Sequence, residues 1–135
     1  VLARHRIEVG EPFEIDGPGG PVSILPFLQA HGSIDSLGFR IGRFGYSSDI
    51  SDLPEESFAA VRDLDLWIVD ALRYSHHPSH WSVDQTLSWI ERLAPRHAVL
   101  THMYGDLDYR TLKESLPDGV EPGYDGMIIE VPYDL

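Results

Sequence analysis

The sequence predicts an α/β fold in which helices cover a mixed sheet. Three observations carry that expectation. Two continuous apolar runs of strand length, "DLWIVDAL" (65–72) and "RHAVLTH" (96–102), read as strands buried on both faces. Between them, "SVDQTLSWIERL" (82–93) has the spacing of an amphipathic helix. The chain is strand-rich before residue 65 and alternates helix and strand afterwards, a pattern that implies helices layered on a sheet.

The elements follow in order. "RHRIEV" (4–9) reads as a short strand, and "EPFEIDG" continues extended to a turn at "GPGGP" (17–21), where proline after a glycine pair punctuates the chain. "VSILPFLQAH" (22–31) is apolar but interrupted by Pro26, so it reads as a strand with a bulge or a sheet-edge kink. Within 36–49, "LGFRI" and "RFGYS" are joined around Gly42 as a hairpin or a bent strand. A helix is expected over 51–64: Asp52 can cap it, Pro54 sits near its first turn, and Glu55 and Glu56 suit the positive end of its dipole. In the 82–93 helix, Ser82 and Gln85 form a capping box, and Val83, Leu87, Ile90 and Leu93 share a face. "DYRTLKESL" (108–116) reads as a short helix and "GMIIEV" (126–131) as a final strand. With no repeat or linker, residues 1–135 are read as one unit.

Composition narrows the function. The 135 residues suffice for one core, and no run approaches the roughly 20 apolar residues that cross a bilayer. No membrane partner is therefore expected. Ten basic residues face 22 acidic ones, for a formal charge of −12, without forming a basic patch. That balance disfavours a nucleic-acid groove on this chain alone, because neutralising phosphates takes clustered Lys and Arg. Cysteine is absent, which excludes disulfides and thiolate metal sites and fits a cytoplasmic setting.

Three apolar segments end in residues able to bind a hard or borderline metal: His31, Asp49 and His102. Strand ends in layered α/β sheets share an edge where sites are built. Two imidazoles and a carboxylate there suit zinc, manganese or iron(II). Each residue alone also fits a structural role, as His5 and His97 do at the front of strands, and as Asp49 does in a turn. "SHHPSHWS" (75–82) joins the 65–72 strand to the following helix. Its His80 stands close to the helix start, a setting that suits an anion such as phosphate as well as a plain surface loop.

Five ordered motifs, "LQAHGSIDSLGFRIG", "YSSDISDLP", "DALRYSHHPSHWSV", "LTHMYGDLDY" and "EPGYDGMIIEV", resemble the C-terminal half of the metallo-β-lactamase fold from about Pro21 onward. The likeness is nearest to the phosphoribosyl cyclic phosphate phosphodiesterase and ribonuclease Z branch. It implies half of an αββα sandwich and, in the intact protein, two divalent metal ions: zinc or manganese, with iron the further option. By the same resemblance His31 is a ligand of one metal, Asp49 the bridging carboxylate and His102 a ligand of the second. His80 would meet the scissile phosphate and serve with Asp49 in catalysis, while Asp106, Asp108, Tyr124 and Asp125 would support the ligands from behind.

The family's HxHxDH string, which supplies most of the first metal site, occurs nowhere in these residues. The resemblance therefore implies a small phosphate-ester substrate, cyclic or nucleotide-like, for the intact protein and little activity for this chain alone. The expected partner is the missing N-terminal half or a second copy of the chain. Two competing readings are a non-catalytic domain that binds a protein through its exposed half-site surface, and a generic α/β sandwich with structural histidines.

Overall fold

Seven strands form one sheet in sequence order, described over residues 1–133 in a computed structural model. They are β1 (Phe13–Gly17), β2 (Gly20–His31), β3 (Ile34–Ile41), β4 (Phe44–Ser47), β5 (Leu66–Asp70), β6 (His97–Thr101) and β7 (Val120–Pro122). The first four pair antiparallel through tight turns, and β4 to β7 pair parallel. The sheet is thus mixed, as the sequence implies. The parallel connections carry a 3₁₀ segment (Glu55–Val61), α1 (Val83–Leu93) and α2 (Tyr109–Ser115).

Alternation along β5 separates two faces of the sheet. Trp67 and Val69 join Ala98 and Leu100 of β6 in the core, with Val61, Leu64, Trp81, Ile90 and Leu112 packed against them. Leu66, Ile68 and Val99 face the other way, into an open groove of about 960 Å³ also lined by Val22, Ile41 and Phe44. A strand buried on one side by helices and on the other by a further layer needs apolar residues at every position. "LWIV" meets that requirement: on the groove side Leu66 and Val99 are buried and Ile68 is half-buried.

Several local expectations hold, with physical reasons visible. Ser82 accepts from the Gln85 N–H at 3.3 Å while the Gln85 side chain accepts from the Ser82 N–H at 3.0 Å, closing the capping box. Ala94, in the left-handed region at φ 48°, ends α1. Pro26 is accommodated inside a continuous β2 because the ladder with β1 stops at Ile24 and that with β3 starts at Leu25. There the strand has a partner on one side only, a position that tolerates a missing N–H. Gly42 turns β3 into β4 as a hairpin.

Other expectations are corrected. Residues 4–9 form no strand: Ile7 and Val9 are exposed and find no sheet to join. The helix expected over 51–64 contracts to the 3₁₀ segment. Its N-cap is Pro54, without a side-chain cap, while Asp52 bonds the adjacent Leu53 N–H instead. Residues 126–131 are not a strand, and the last strand is β7 upstream of them. Met127, Ile129 and Val131 line the groove while Ile128 is 88% exposed, so the segment has strand-like alternation without a ladder partner.

Gly38 shows how tightly the β2–β3 pair is packed. A Cβ there would stand 2.3 Å from the Phe27 ring and 2.5 Å from the buried Gln29 Oε1. Gly38→Ala is expected to destabilise the fold by about 2–3 kcal/mol through overpacking, seen as a lower urea midpoint with an unchanged m-value. A midpoint equal to the parent's would contradict this packing.

Candidate metal centre

The C-terminal ends of β4, β5 and β6 lie side by side, and each sends a loop over the same edge. Backbone hydrogen bonds stitch these loops together. The Trp81 N–H donates to Ile50 C=O at 2.8 Å, Leu72 N–H to Trp81 C=O at 3.0 Å, and Tyr104 N–H to Leu72 C=O at 2.7 Å. Beneath them Gln29, fully buried, donates to Ser36 Oγ and to Ser48 C=O, and the Ser36 hydroxyl donates to Asp49 C=O at 2.7 Å. The backbone that carries Asp49 is therefore held from β2 and β3.

On this edge Asp49, Asp70, His80 and His102 each present a ligand-type atom within 4.8 Å of all the others. His102 Nε2 lies 3.5 Å from Asp49 Oδ1, and His102 Nδ1 lies 3.7 Å from Asp70 Oδ1. The His80 and His102 rings stack at 4.7 Å between centroids. His31 meets the edge of the His80 ring, also at 4.7 Å, so it adjoins the cluster without belonging to the four. Asp70 forms the buried floor, whereas the Asp49 and His102 side chains are 49% and 41% exposed at the mouth.

Hydrogen bonds fix the ring protons. His31 Nδ1 faces Ser79 C=O at 2.7 Å, and a carbonyl only accepts, so Nδ1 carries the proton and the Nε2 lone pair is free for a ligand bond. His80 Nδ1 faces Asp70 Oδ2 at 2.6 Å. An ionised carboxylate likewise only accepts, which commits His80 Nδ1 as the donor and leaves Nε2 available. His80 is thereby better suited to act on a substrate than to ligate through Nδ1.

The donor set fits a divalent cation. Asp70 Oδ1 is buried with no hydrogen-bond partner, and the Asp49 carboxylate stands close by. A buried anionic oxygen without a partner is strongly unfavourable unless a proton or cation meets it. Imidazole and carboxylate without thiolate suit zinc, manganese or iron(II) alike.

Two of the cluster residues also carry backbone strain. Asp49 (φ 55°) and His102 (φ 58°) are in the left-handed region, two of only four non-glycine residues there among those described. Such conformations cost about 1 kcal/mol or more each and concentrate at functional sites.

The four supporting candidates stand apart from the cluster's hydrogen bonds. Asp108 caps α2, accepting from the Thr111 N–H and hydroxyl, and the Thr111 N–H bond in particular holds its carboxyl below the usual range. Asp106 is exposed in a turn. Tyr124 packs its ring against Tyr109, and both Tyr124 and Asp125 line the groove that His102 also borders. His97 pairs with Glu121 at 2.9 Å across β6 and β7, away from the cluster. Sequence reasoning missed Asp70. The signal was an acid inside the apolar "LWIVDAL", where a charge is out of place unless something meets it.

Known proteins share this fold. Residues 1–103 match the family described as the beta-lactamase superfamily domain. A solved structure of a diphosphatase from the PhnP family superposes with a TM-score of 0.90 at 32% identity, over 97% of this chain and 50% of that one. The short form of human tRNase Z gives a TM-score of 0.64 at 18% identity, over 82% of this chain and 44% of that one, a likeness of fold alone. An octanoyltransferase from Porphyromonas gingivalis is 29% identical over 130 residues, covering 94% of this chain but 25% of that protein. The chain thus spans half or less of each of these proteins.

Burial, the largest influence, raises the Asp70 carboxyl pKa above 3.8, against the His80 hydrogen bond, the Ile50 N–H and the charges of His80 and His102. Between the ordinary and the raised value the folded chain binds more protons at Asp70 than the unfolded chain does. Its contribution to stability therefore falls as pH rises across that window. Asp70→Asn removes the dependence. Urea denaturation of the metal-free chain should show the variant gaining on the parent as pH rises from below 3.8, and a difference that stays flat with pH would contradict the assignment.

Proposed function

The chain belongs to the beta-lactamase superfamily domain family, and from that membership we propose that the complete protein is a metal-dependent phosphodiesterase acting on a small cyclic or nucleotide-like phosphate ester. The observation that carries the reading is the convergence of Asp49 and His102 on the unpartnered Asp70 oxygen, with His80 beside them. The name of one structural relative, a diphosphatase, denotes cleavage of a phosphate linkage and supports the substrate class.

In this proposal Asp49 and His102 hold metal from this half of the fold, and His31 contributes its free Nε2. Two divalent ions, zinc or manganese with iron the further option, would supply a hydroxide nucleophile near neutral pH and neutralise charge on the phosphoryl oxygens. The residues of the chain do the rest. Asp70 orients His80 by accepting from Nδ1–H, so that Nε2 is presented to the substrate. A ring held this way can hydrogen-bond a phosphoryl oxygen or pass a proton to the departing oxygen. The stacked His102 ring limits rotation of His80.

The open groove supports a partner for this half of the fold. Leu66, Ile68, Phe44 and Ile41 form an apolar floor, and Met127, Ile129 and Val131 border it. A face of this kind is unfavourable in water and calls for a second layer. The proposed occupant is the other half of the sandwich, which would also bring the remaining metal ligands, with a second copy of the chain as the substitute when that half is absent.

Three outcomes test the proposal. The complete protein, loaded with manganese or zinc, should hydrolyse bis(p-nitrophenyl) phosphate and lose that activity to a chelator. His80→Ala should lower kcat by roughly 10²–10⁴-fold while metal content stays at the parent level, whereas Asp49→Ala should lose metal. The isolated 135-residue chain should neither turn over substrate nor run as a monomer in light scattering. A monodisperse, inactive monomer whose full-length parent is also inactive would favour a partner-binding domain instead.

A further inference from the structure

Two residues outside the cluster govern the backbone of Asp49. Its left-handed conformation, φ 55°, is set by how the peptide plane before it is turned against the plane after it. Both planes are held. Gln29 Nε2 donates to Ser48 C=O at 3.0 Å and grips the first, while the Ser36 hydroxyl donates to Asp49 C=O at 2.7 Å and grips the second. The Ile50 N–H, on that same second plane, donates to Asp70 Oδ2 at 3.2 Å. Gln29 Nε2 also donates to Ser36 Oγ at 3.1 Å, so one amide links the two grips.

The directions of these bonds are fixed by chemistry. A carbonyl only accepts, so Ser36 spends its proton on Asp49, and both hydrogens of the Gln29 amide are claimed by Ser36 and Ser48. Gln29 Oε1 is left buried with no partner, and a Cβ on Gly38 would stand 2.5 Å from it. An unmet buried acceptor is unfavourable, so stability of the sheet alone does not account for this amide. No hydrogen bond among the described residues holds the Asp49 carboxylate itself, which stands 3.5 Å from His102 Nε2 and 4.0 Å from His80 Nδ1. Its direction is therefore decided by the backbone that carries it.

We propose that Gln29 and Ser36 are positioning residues for the metal: together they lock the Asp49 torsion and so keep its carboxylate beside Asp70, His80 and His102. This rests on the reading of Asp49 as a metal ligand and deepens it. Affinity for the ion is set in part by residues of β2 and β3 outside the ligand set.

Calorimetric titration of manganese(II) or zinc(II) into the metal-stripped complete protein tests this without turnover. Ser36→Ala should weaken binding by about tenfold, the low end of the loss when support behind a ligand is removed. Gln29→Met, which releases both planes, should weaken it at least as much, and Ser36→Thr, which keeps the hydroxyl, should stay at the parent level. Ser57→Ala serves as the control, because it breaks a bond of the same kind and length, from the Ser57 hydroxyl to Leu28 C=O at 2.7 Å. It should lower the urea midpoint and leave metal affinity unchanged. Parent affinity in Ser36→Ala, or an equal loss in Ser57→Ala, would overturn the assignment. Hydrolysis of bis(p-nitrophenyl) phosphate is scored in parallel: its absence beside a Ser36-dependent affinity would sink the phosphodiesterase reading and spare the clamp. A parent that takes up neither ion would overturn both.

Discussion

A carboxylate with no solvent around it sets the terms for this half of the molecule. Asp70 ends a strand whose other residues are apolar, and it is fully buried. One oxygen is met by His80 and by the Ile50 N–H, while the other accepts no hydrogen bond among the described residues and lies 3.7 Å from His102 Nδ1. Burying a charge with incomplete partners costs several kcal/mol in general. The surrounding loops are arranged as if to limit that cost: two imidazoles close over Asp70, and a backbone amide points at it. The centre that results has strong attraction for positive charge before any ligand arrives.

Rigidity comes from below the site. Trp67 and Trp81 meet edge to face at 6.3 Å in the core, and the Trp67 indole N–H donates to Ser47 at the end of β4. Trp81 itself lies immediately after His80, so the residue that anchors the loop in the core is the neighbour of the one exposed to chemistry. Thr86 adds a bond from α1 to the Asp70 carbonyl at 2.6 Å. Sheet, loop and helix therefore position His80 and Asp70 together, and displacement of either would disturb well-packed aromatic rings.

Much of this was legible in the chain. The capping box at Ser82 and the buried strands over 65–72 and 96–102 rest on local chemistry that tertiary context does not override. His31, Asp49 and His102 could be singled out because each ends an apolar run, and strand ends meet at one edge. Harder to read was Asp70, since a strand pattern hides a single acid and its partner His80 comes ten residues later. The strand expected over 126–131 illustrates the other limit. Its alternation is genuine, yet a strand exists only where a neighbour supplies the ladder, and alternation within one segment says nothing of the neighbour. Residues 4–9 failed for the same reason, with β-type side chains and nothing to pair or pack against.

The left-handed backbone at Asp49 and His102 bears on how such a domain would drift under relaxed selection. Glycine or asparagine would be more comfortable at both places, so the sequence retains its aspartate and histidine against a steady local pull toward sturdier alternatives. A lineage that abandoned the chemistry would have two easy stabilising steps before it. Acidic and imidazole side chains at these two positions, on a backbone that disfavours them, are therefore a marker that separates working members of such a lineage from retired ones.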